Sequence, residues 1–182
     1  MDMDTNSIVV SPGTYRLDPV HSTVGFAVMH KVSRFRAGFA DFDATLVVGE
    51  SGEMQLTGNA QVGSVQVKNA EQGAHLQSPE FFDASRHPVI GFRSTSVTLE
   101  SGGALTVVGE LMLRGHAEVV EARGTLTYVP DDLHDQERVG IDLEAVVDRT
   151  LFGLNWNQPL PGGGVAVANE VTLTVELELP KG

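Results

Sequence analysis

Residues 170–180 read EVTLTVELELP, and polar and apolar side chains alternate along this segment without a break. One face of the segment is apolar and consists of Val171, Leu173, Val175, Leu177 and Leu179. The opposite face carries threonines and glutamates. Alternation with a period of two is typical of a β-strand that buries one face. The segment therefore predicts a strand at the edge of an apolar core.

The same period recurs along most of the chain from Thr14 onwards, interrupted by Gly, Pro, Asp and Ser. It predicts strands at about 14–18, 20–30, 36–48, 54–67, 89–99, 105–113, 117–129, 141–148 and 171–179. One stretch, residues 69–86, breaks the alternation. Asn69 is a suitable N-cap for a helix, so this stretch predicts a short helical insertion between strands.

Long amphipathic strands without a helical layer have to cover their apolar faces with one another. A sheet that closes on itself does so and also removes its edges. We therefore predict an all-β fold, an antiparallel up-and-down barrel of about eight strands. A two-sheet sandwich is the alternative, although its strands are usually shorter than these.

Composition restricts the function. The chain has 182 residues, which suits one barrel domain at 14–182 after a flexible tail at 1–13. It contains no cysteine, which excludes disulfides, thiolate metal centres and cysteine nucleophiles. A net charge of −12 disfavours nucleic-acid binding, which depends on cations. The N-terminus lacks the pattern of an export signal, so a cytoplasmic location is expected.

Motifs for catalysis or metal binding are missing from the sequence. His21 and His30 are nine positions apart on one predicted strand, so they face opposite sides and cannot bind one ion together. No nucleophile elbow, histidine zinc motif or calcium loop occurs. We therefore expect no catalytic residue, metal or cofactor.

The lumen of an eight-stranded barrel is wide enough to be filled by side chains or to hold one small ligand. The strand pattern does not distinguish a filled lumen from one that holds a ligand. The residues predicted to line the lumen are larger apolar side chains on one face of their strands. They are Val24, Phe26, Val28, Phe42, Leu46, Ile90, Phe92, Leu111, Leu143 and Leu173.

Alternate turns of a meander lie at the same end of the barrel, and here they separate the charges. The mouth beside the insertion is predicted to include His30, Lys31, Arg34, Arg36, His75, Phe81, Phe82, Arg114 and Arg149. Acidic residues collect at the other end: Asp18, Glu50, Glu53, Glu100, Asp131, Asp132, Asp135 and Glu137.

Cations at the mouth would favour an anionic headgroup or transient contact with an anionic membrane. Alternatively, they are solvated or paired with Glu71, Glu80 and Asp83. Phe81 and Phe82 would serve either as a gate over the lumen or as a cap that seals it.

Four segments of the chain resemble the YceI-like family. They are LDPVHSTVGFAVMH (17–30), HLQSPEFFDASRHPVIGFRST (75–95), LMLRG (111–115) and DRTLFGL (148–154). The resemblance implies a lipocalin-like barrel that binds a long amphipathic lipid, a polyisoprenoid or a quinone-like chain, and it also implies a homodimer. Gln72 and Gly73 depart from the Arg-Asp pair usual in the family, which leaves the headgroup preference open.

The sequence thus predicts a protein that sequesters or carries a long-chain lipid in an apolar lumen. One alternative is an enzyme acting on an isoprenoid or lipid, with His30 or His75 as its acid–base group. Another is an interaction module whose barrel holds no ligand.

Overall fold

A single antiparallel sheet curls into a barrel-like shell. The structure, a computed structural model, describes residues 7–182. The strands in these residues are β1 (Gly13–Arg16), β2 (Thr23–His30), β3 (Ser33–Phe39), β4 (Phe42–Val48), β5 (Met54–Gln61), β6 (Val65–Gln66), β7 (Val89–Leu99), β8 (Ala104–Leu113), β9 (His116–Val129), β10 (Arg138–Asp148) and β11 (Val167–Pro180). Their order in the sheet is β1-β4-β5-β7-β8-β9-β10-β11-β2-β3-β6. The predicted all-β antiparallel barrel is confirmed.

The shell is closed differently at its two ends. At one end, which we call the base, β1 pairs with β4, and Tyr15 of β1 forms a bridge with Lys181 after β11. At the other end, which we call the mouth, β3 pairs with β6. Because β6 continues β5 through a 3-10 turn at Val62–Ser64, this pairing joins the two sides of the shell.

The described strands number eleven, more than the predicted eight or so, because two of the nine predicted strand segments are each divided in two. The segment 36–48 is interrupted after Phe39, where Ala40 donates its N–H to the Ser64 carbonyl, 3.1 Å away. The segment 54–67 is interrupted by the 3-10 turn that carries the chain from β5 to the edge of β3. At each break the flanking apolar residues, Phe39 and Phe42 or Val62 and Val65, are three positions apart, so the inward face changes from odd to even positions or the reverse.

The predicted insertion forms the helix α1 (Ala70–Gln77) followed by turns. Asn69 caps it, since its side-chain oxygen accepts the N–H groups of Glu71 and Gln72. Leu76 is the buried residue of the helix and packs at the mouth with Phe82. None of the helices in residues 7–182 combines the length and the apolar character that a membrane span requires.

The base is filled by tightly packed side chains. Its fully buried members are Tyr15, Leu46, Leu105, Val107, Leu126, Val139 and Leu179. The predicted N-terminal tail at 1–13 is wrong in its second half, because Val10 is buried in this core and Ile8 packs against it. Residues 1–6 of that tail lie outside the described residues.

The base also holds two cations, which were not included when the acidic residues were predicted to collect at this end. Arg138 donates to Asp132 at 2.6 Å, and Lys181 lies 2.9 Å from Glu137. Hydrogen bonds from Arg138 and from backbone N–H groups lower the pKa of Asp132 to about 2. The hydrogen bonds from Lys181 and Ser11 lower the pKa of Glu137 to about 2 as well. The acidic end is therefore a network of paired charges.

Because these pKa values are lowered in the folded state, we predict that the protein loses stability as the pH is lowered. In the unfolded chain Glu137 takes up a proton near its ordinary pKa of 4.5, whereas in the folded state it stays ionised down to about 2. The free energy of unfolding should therefore fall as the pH is lowered from about 4.5 to about 2. We expect the free energy of unfolding of Glu137→Gln, measured by urea denaturation over this pH range, to fall less steeply with decreasing pH than that of the parent protein. The control is Glu176→Gln at an exposed position of β11, and its free energy of unfolding should depend on pH as that of the parent does. The same pH dependence in all three proteins would contradict the prediction.

Candidate functional site

The inward-facing side chains of β11 change from half-exposed to buried within one strand. Val171, Leu173 and Val175 are half-exposed, whereas Leu177 and Leu179 on the same face are buried. Side chains that point into the shell and still have accessible surface must border unfilled space. The barrel is therefore hollow towards the mouth and packed at the base.

The unfilled space is a cavity of about 340 Å³ with an almost wholly apolar lining. Small-molecule sites typically measure about 300–1,000 Å³. The alternative that side chains fill the whole lumen is therefore true only of the base. Eight of the predicted lining residues border the cavity: Val24, Phe26, Val28, Ile90, Phe92, Leu111, Leu143 and Leu173.

Two of the predicted lining residues lie elsewhere. Leu46 is 0% exposed and belongs to the packed base, and Phe42 packs between the base and the apolar cluster at the mouth. Both face inward, as predicted, but alternation reports the face of a strand and not the height along the barrel. The prediction missed Phe35 and Phe39 of β3, which do border the cavity, because it began the strand at residue 36 and ran it without a break to 48, which puts Phe39 on the face opposite Phe42.

Aromatic side chains close the cavity under α1. Phe82 is buried, and its ring lies 5.8 Å from the ring of Phe26 and 6.2 Å from that of Phe39. Phe81 is half-buried and lies 5.3 Å from the ring of Trp156. Phe82 is thus part of the core that seals the mouth, while Phe81 and Trp156 form the side of the cavity nearer to solvent.

Two histidines border the cavity at the mouth. The His75 ring is packed edge-on against Phe81 and Trp156, with centroids 4.8 and 5.0 Å away. Its Nε2 lies 2.6 Å from Glu80 Oε2. His30, at the end of β2, lines the cavity as well. The exposed Gln72 of α1 is a third polar side chain that borders the cavity at the mouth.

Arg149 borders the cavity but is held by the backbone. It is 5% exposed and donates to the carbonyls of Leu154, Trp156, Val167 and Ala168. Burial lowers the pKa of its guanidinium. Within residues 7–182 it forms no ion pair. Four of its five N–H donors are already used, so its main role is to fix the loop before β11.

Arg114 does not line the cavity, although it was predicted for the mouth. Its guanidinium donates to the carbonyl of Gly153 at 2.7 Å and to that of Pro79 at 2.8 Å. It therefore fastens the insertion to the loop that follows β10. Sequence alone gave no sign of this, because both acceptors are backbone carbonyls distant in the chain.

The remaining predicted cations face away from the cavity. Phe35 and Phe39 of β3 point inward, so Arg34 and Arg36 alternate onto the outer surface, where both are exposed. Lys31 is exposed in the turn after β2 with a φ of 56°. None of these three cations borders the cavity: the pleat of β3 turns Arg34 and Arg36 outward, and Lys31 lies in an exposed turn.

One trio within residues 7–182 has the spacing of metal ligands. Asp18, His21 and Glu178 offer atoms within 4.8 Å of one another at the base. The guanidinium of Arg138 lies 3.7 Å from Asp18 and 3.5 Å from Glu178. A positive charge therefore already sits beside these carboxylates and would repel a metal ion. The trio is an ion-pair network at the end opposite the cavity.

The family is established by comparison with known sequences. The sequence model of the YceI-like domain matches residues 15–179. A UPF0312 protein of Staphylococcus aureus (strain bovine RF122) is 27% identical over 168 residues, covering 90% of this chain and 95% of that protein. A UPF0312 protein of Staphylococcus epidermidis is 26% identical over 171 residues, with the same coverage.

Solved structures share the fold at lower identity. BcnA of Burkholderia cenocepacia superposes with a TM-score of 0.74 at 19% identity, covering 89% of this chain and 98% of its own. A polyisoprenoid binding domain from Saccharophagus degradans, implicated in plant cell wall breakdown, has a TM-score of 0.66 at 15% identity, covering 92% and 98%. Since the family match spans nearly the whole barrel, this chain belongs to the YceI-like family.

Proposed function

We propose that this protein binds one long apolar chain, an isoprenoid or a related lipid, in the cavity below α1 and sequesters or carries it. The supporting observation is the change of burial along β11, where Val171, Leu173 and Val175 border empty space. A chain that enters this space leaves water and gains about 0.8 kcal/mol per buried CH₂ group. The structural similarity to the polyisoprenoid binding domain from Saccharophagus degradans favours an isoprenoid over other lipids.

The headgroup of the ligand would lie at the mouth, beside His30, Gln72 and His75. Arg149 has at most one N–H left to offer, and the outward-facing cations of β3 are out of reach. The mouth therefore suits a neutral hydroxyl or a quinone-like group better than a phosphate. This preference is part of the proposal.

An enzyme acting on such a lipid is the second candidate. The observation in its favour is the 2.6 Å contact between His75 and Glu80 at the edge of the cavity, since a carboxylate can orient an imidazole for proton transfer. The two candidates share the cavity and differ in whether the bound lipid is altered.

Native mass spectrometry tests the proposal directly. Protein freed of lipid by organic extraction and refolding is incubated with the linear isoprenol solanesol, and the complex is weighed. We expect one solanesol per chain, recovered unchanged after extraction. Chemical conversion of the recovered solanesol would favour the enzyme. Failure of the folded protein to retain any solanesol would contradict the proposal and favour a ligand-free interaction module.

A further inference from the structure

The seam between β9 and β10 is open along the last four of the eleven residues of β10. The two strands pair from Arg138 opposite Val129 to Glu144 opposite Arg123, and their pairing ends there. Both strands continue beyond this point, β9 back to His116 and β10 on to Asp148. β9 remains paired with β8, and β10 remains paired with β11 over these residues. The opening is thus a separation of two intact strands.

A second cavity, of about 520 Å³, fills this opening, which we call the fissure. It is bounded by residues 118–121 and Arg123 of β9, by residues 144–148 of β10, and by Leu151 and Phe152. Four residues border both the fissure and the main cavity: Val120, Ala145, Val147 and Phe152. The two spaces therefore adjoin through a common apolar wall near the mouth.

Three exposed apolar side chains lie at the outer edge of the fissure. Val119 is 73% exposed, Val146 is 59% exposed and Leu151 is 54% exposed, and all three border the fissure. Exposed apolar side chains that cluster beside a cavity indicate a binding surface.

The charges around the fissure are mainly negative. Its charged members are Glu118, Glu121, Arg123, Glu144 and Asp148. Arg123 is already paired with Glu121 at 2.8 Å. An anionic headgroup or an anionic membrane would be repelled here, whereas a neutral hydrocarbon is indifferent to the charge.

We propose that the fissure is a second subsite, which receives the part of a long neutral chain that the main cavity cannot hold. This inference rests on the proposed function and makes it more specific. Short isoprenols use the main cavity alone, and long ones extend past Val120 between β9 and β10. The fissure thereby sets a preference for long, uncharged chains.

The test compares two probes, the short isoprenol farnesol and the long isoprenol solanesol. Each is radiolabelled, and its partition between the protein and phosphatidylcholine vesicles is measured. Val120→Trp places an indole at the wall between the two spaces. We expect it to weaken solanesol binding at least about tenfold and farnesol binding by a clearly smaller factor, because the indole narrows the main cavity for both probes but only the longer chain also loses its burial in the fissure. Thr125→Trp, on the outer face of the paired part of β9, is the matched control and should change neither.

A second variant keeps the inference falsifiable should Val120→Trp not fold. Val119→Ser, Val146→Ser and Leu151→Ser combined alter only exposed positions, and we expect them to weaken solanesol binding selectively. Unchanged solanesol binding, or equal losses for both probes, would overturn the fissure as a subsite and leave the proposed function standing. Failure of the parent protein to bind either probe would overturn both.

Discussion

Replacing Leu173 with tryptophan, Leu173→Trp, is expected to abolish the retention of solanesol by the folded protein. Leu173 lies midway along the hollow part of β11, half-exposed to the cavity and opposite Phe26 of β2. An indole there occupies the space that the proposed chain needs. We expect affinity to fall at least about a hundredfold, the loss that corresponds to roughly four CH₂ groups remaining in water.

Vesicle partition with solanesol measures this effect, and circular dichroism shows whether the barrel is retained. Thr174→Trp is the matched control, because Thr174 is the next residue of the same strand and is exposed on the outer face. Binding that survives Leu173→Trp undiminished would exclude the cavity as the lipid site. A loss of binding in both variants would instead point to general damage to β11.

The largest effect on stability is expected at the base. Leu46→Ala should lower the free energy of unfolding by about 2–5 kcal/mol, because Leu46 is fully buried and its removal leaves a void in a packed core. Leu173→Ala should cost less, about 1–2 kcal/mol, since this side chain is half-buried and already borders empty space, so its removal opens no new void in a packed core. Urea denaturation of the lipid-free protein measures both values.

Comparing Leu46→Ala with Leu173→Ala also tests whether the barrel is hollow towards the mouth. Val47→Ala, at the half-exposed neighbour of Leu46 on the outer face, controls for the loss of β-propensity in β4. Equal costs for Leu46→Ala and Leu173→Ala would mean that the lumen is packed throughout. The premise of the proposed function would then be lost.

The faces of the strands follow from the sequence with little error. Val24, Phe26 and Val28 alternate as predicted, and all three border the cavity. Strand ends are less well determined, because a break such as the one after Phe39 depends on the hydrogen bond that the Ala40 N–H donates to the carbonyl of Ser64, 24 positions away in the chain. Pairing partners at that distance leave no local pattern.

The contacts of the arginines at the mouth could not be predicted from local sequence either. Arg114 and Arg149 were predicted near the cavity, but their hydrogen-bond partners are backbone carbonyls of the insertion and of the loop before β11. A carbonyl is present at every residue, so no residue type marks it as an acceptor. Arg34 and Arg36 lie near the mouth in the chain, yet the pleat of β3 turns them to the outer surface.

The sequence by itself determined the antiparallel β architecture, the capped insertion after Asn69 and the apolar inner face, because each depends on neighbours two to four positions apart. Only the tertiary structure decided that Leu46 is packed while Leu173 borders a cavity, and that β9 and β10 separate beyond Glu144. Height along the barrel and the spacing between strands depend on how eleven strands curl together, which no single strand encodes.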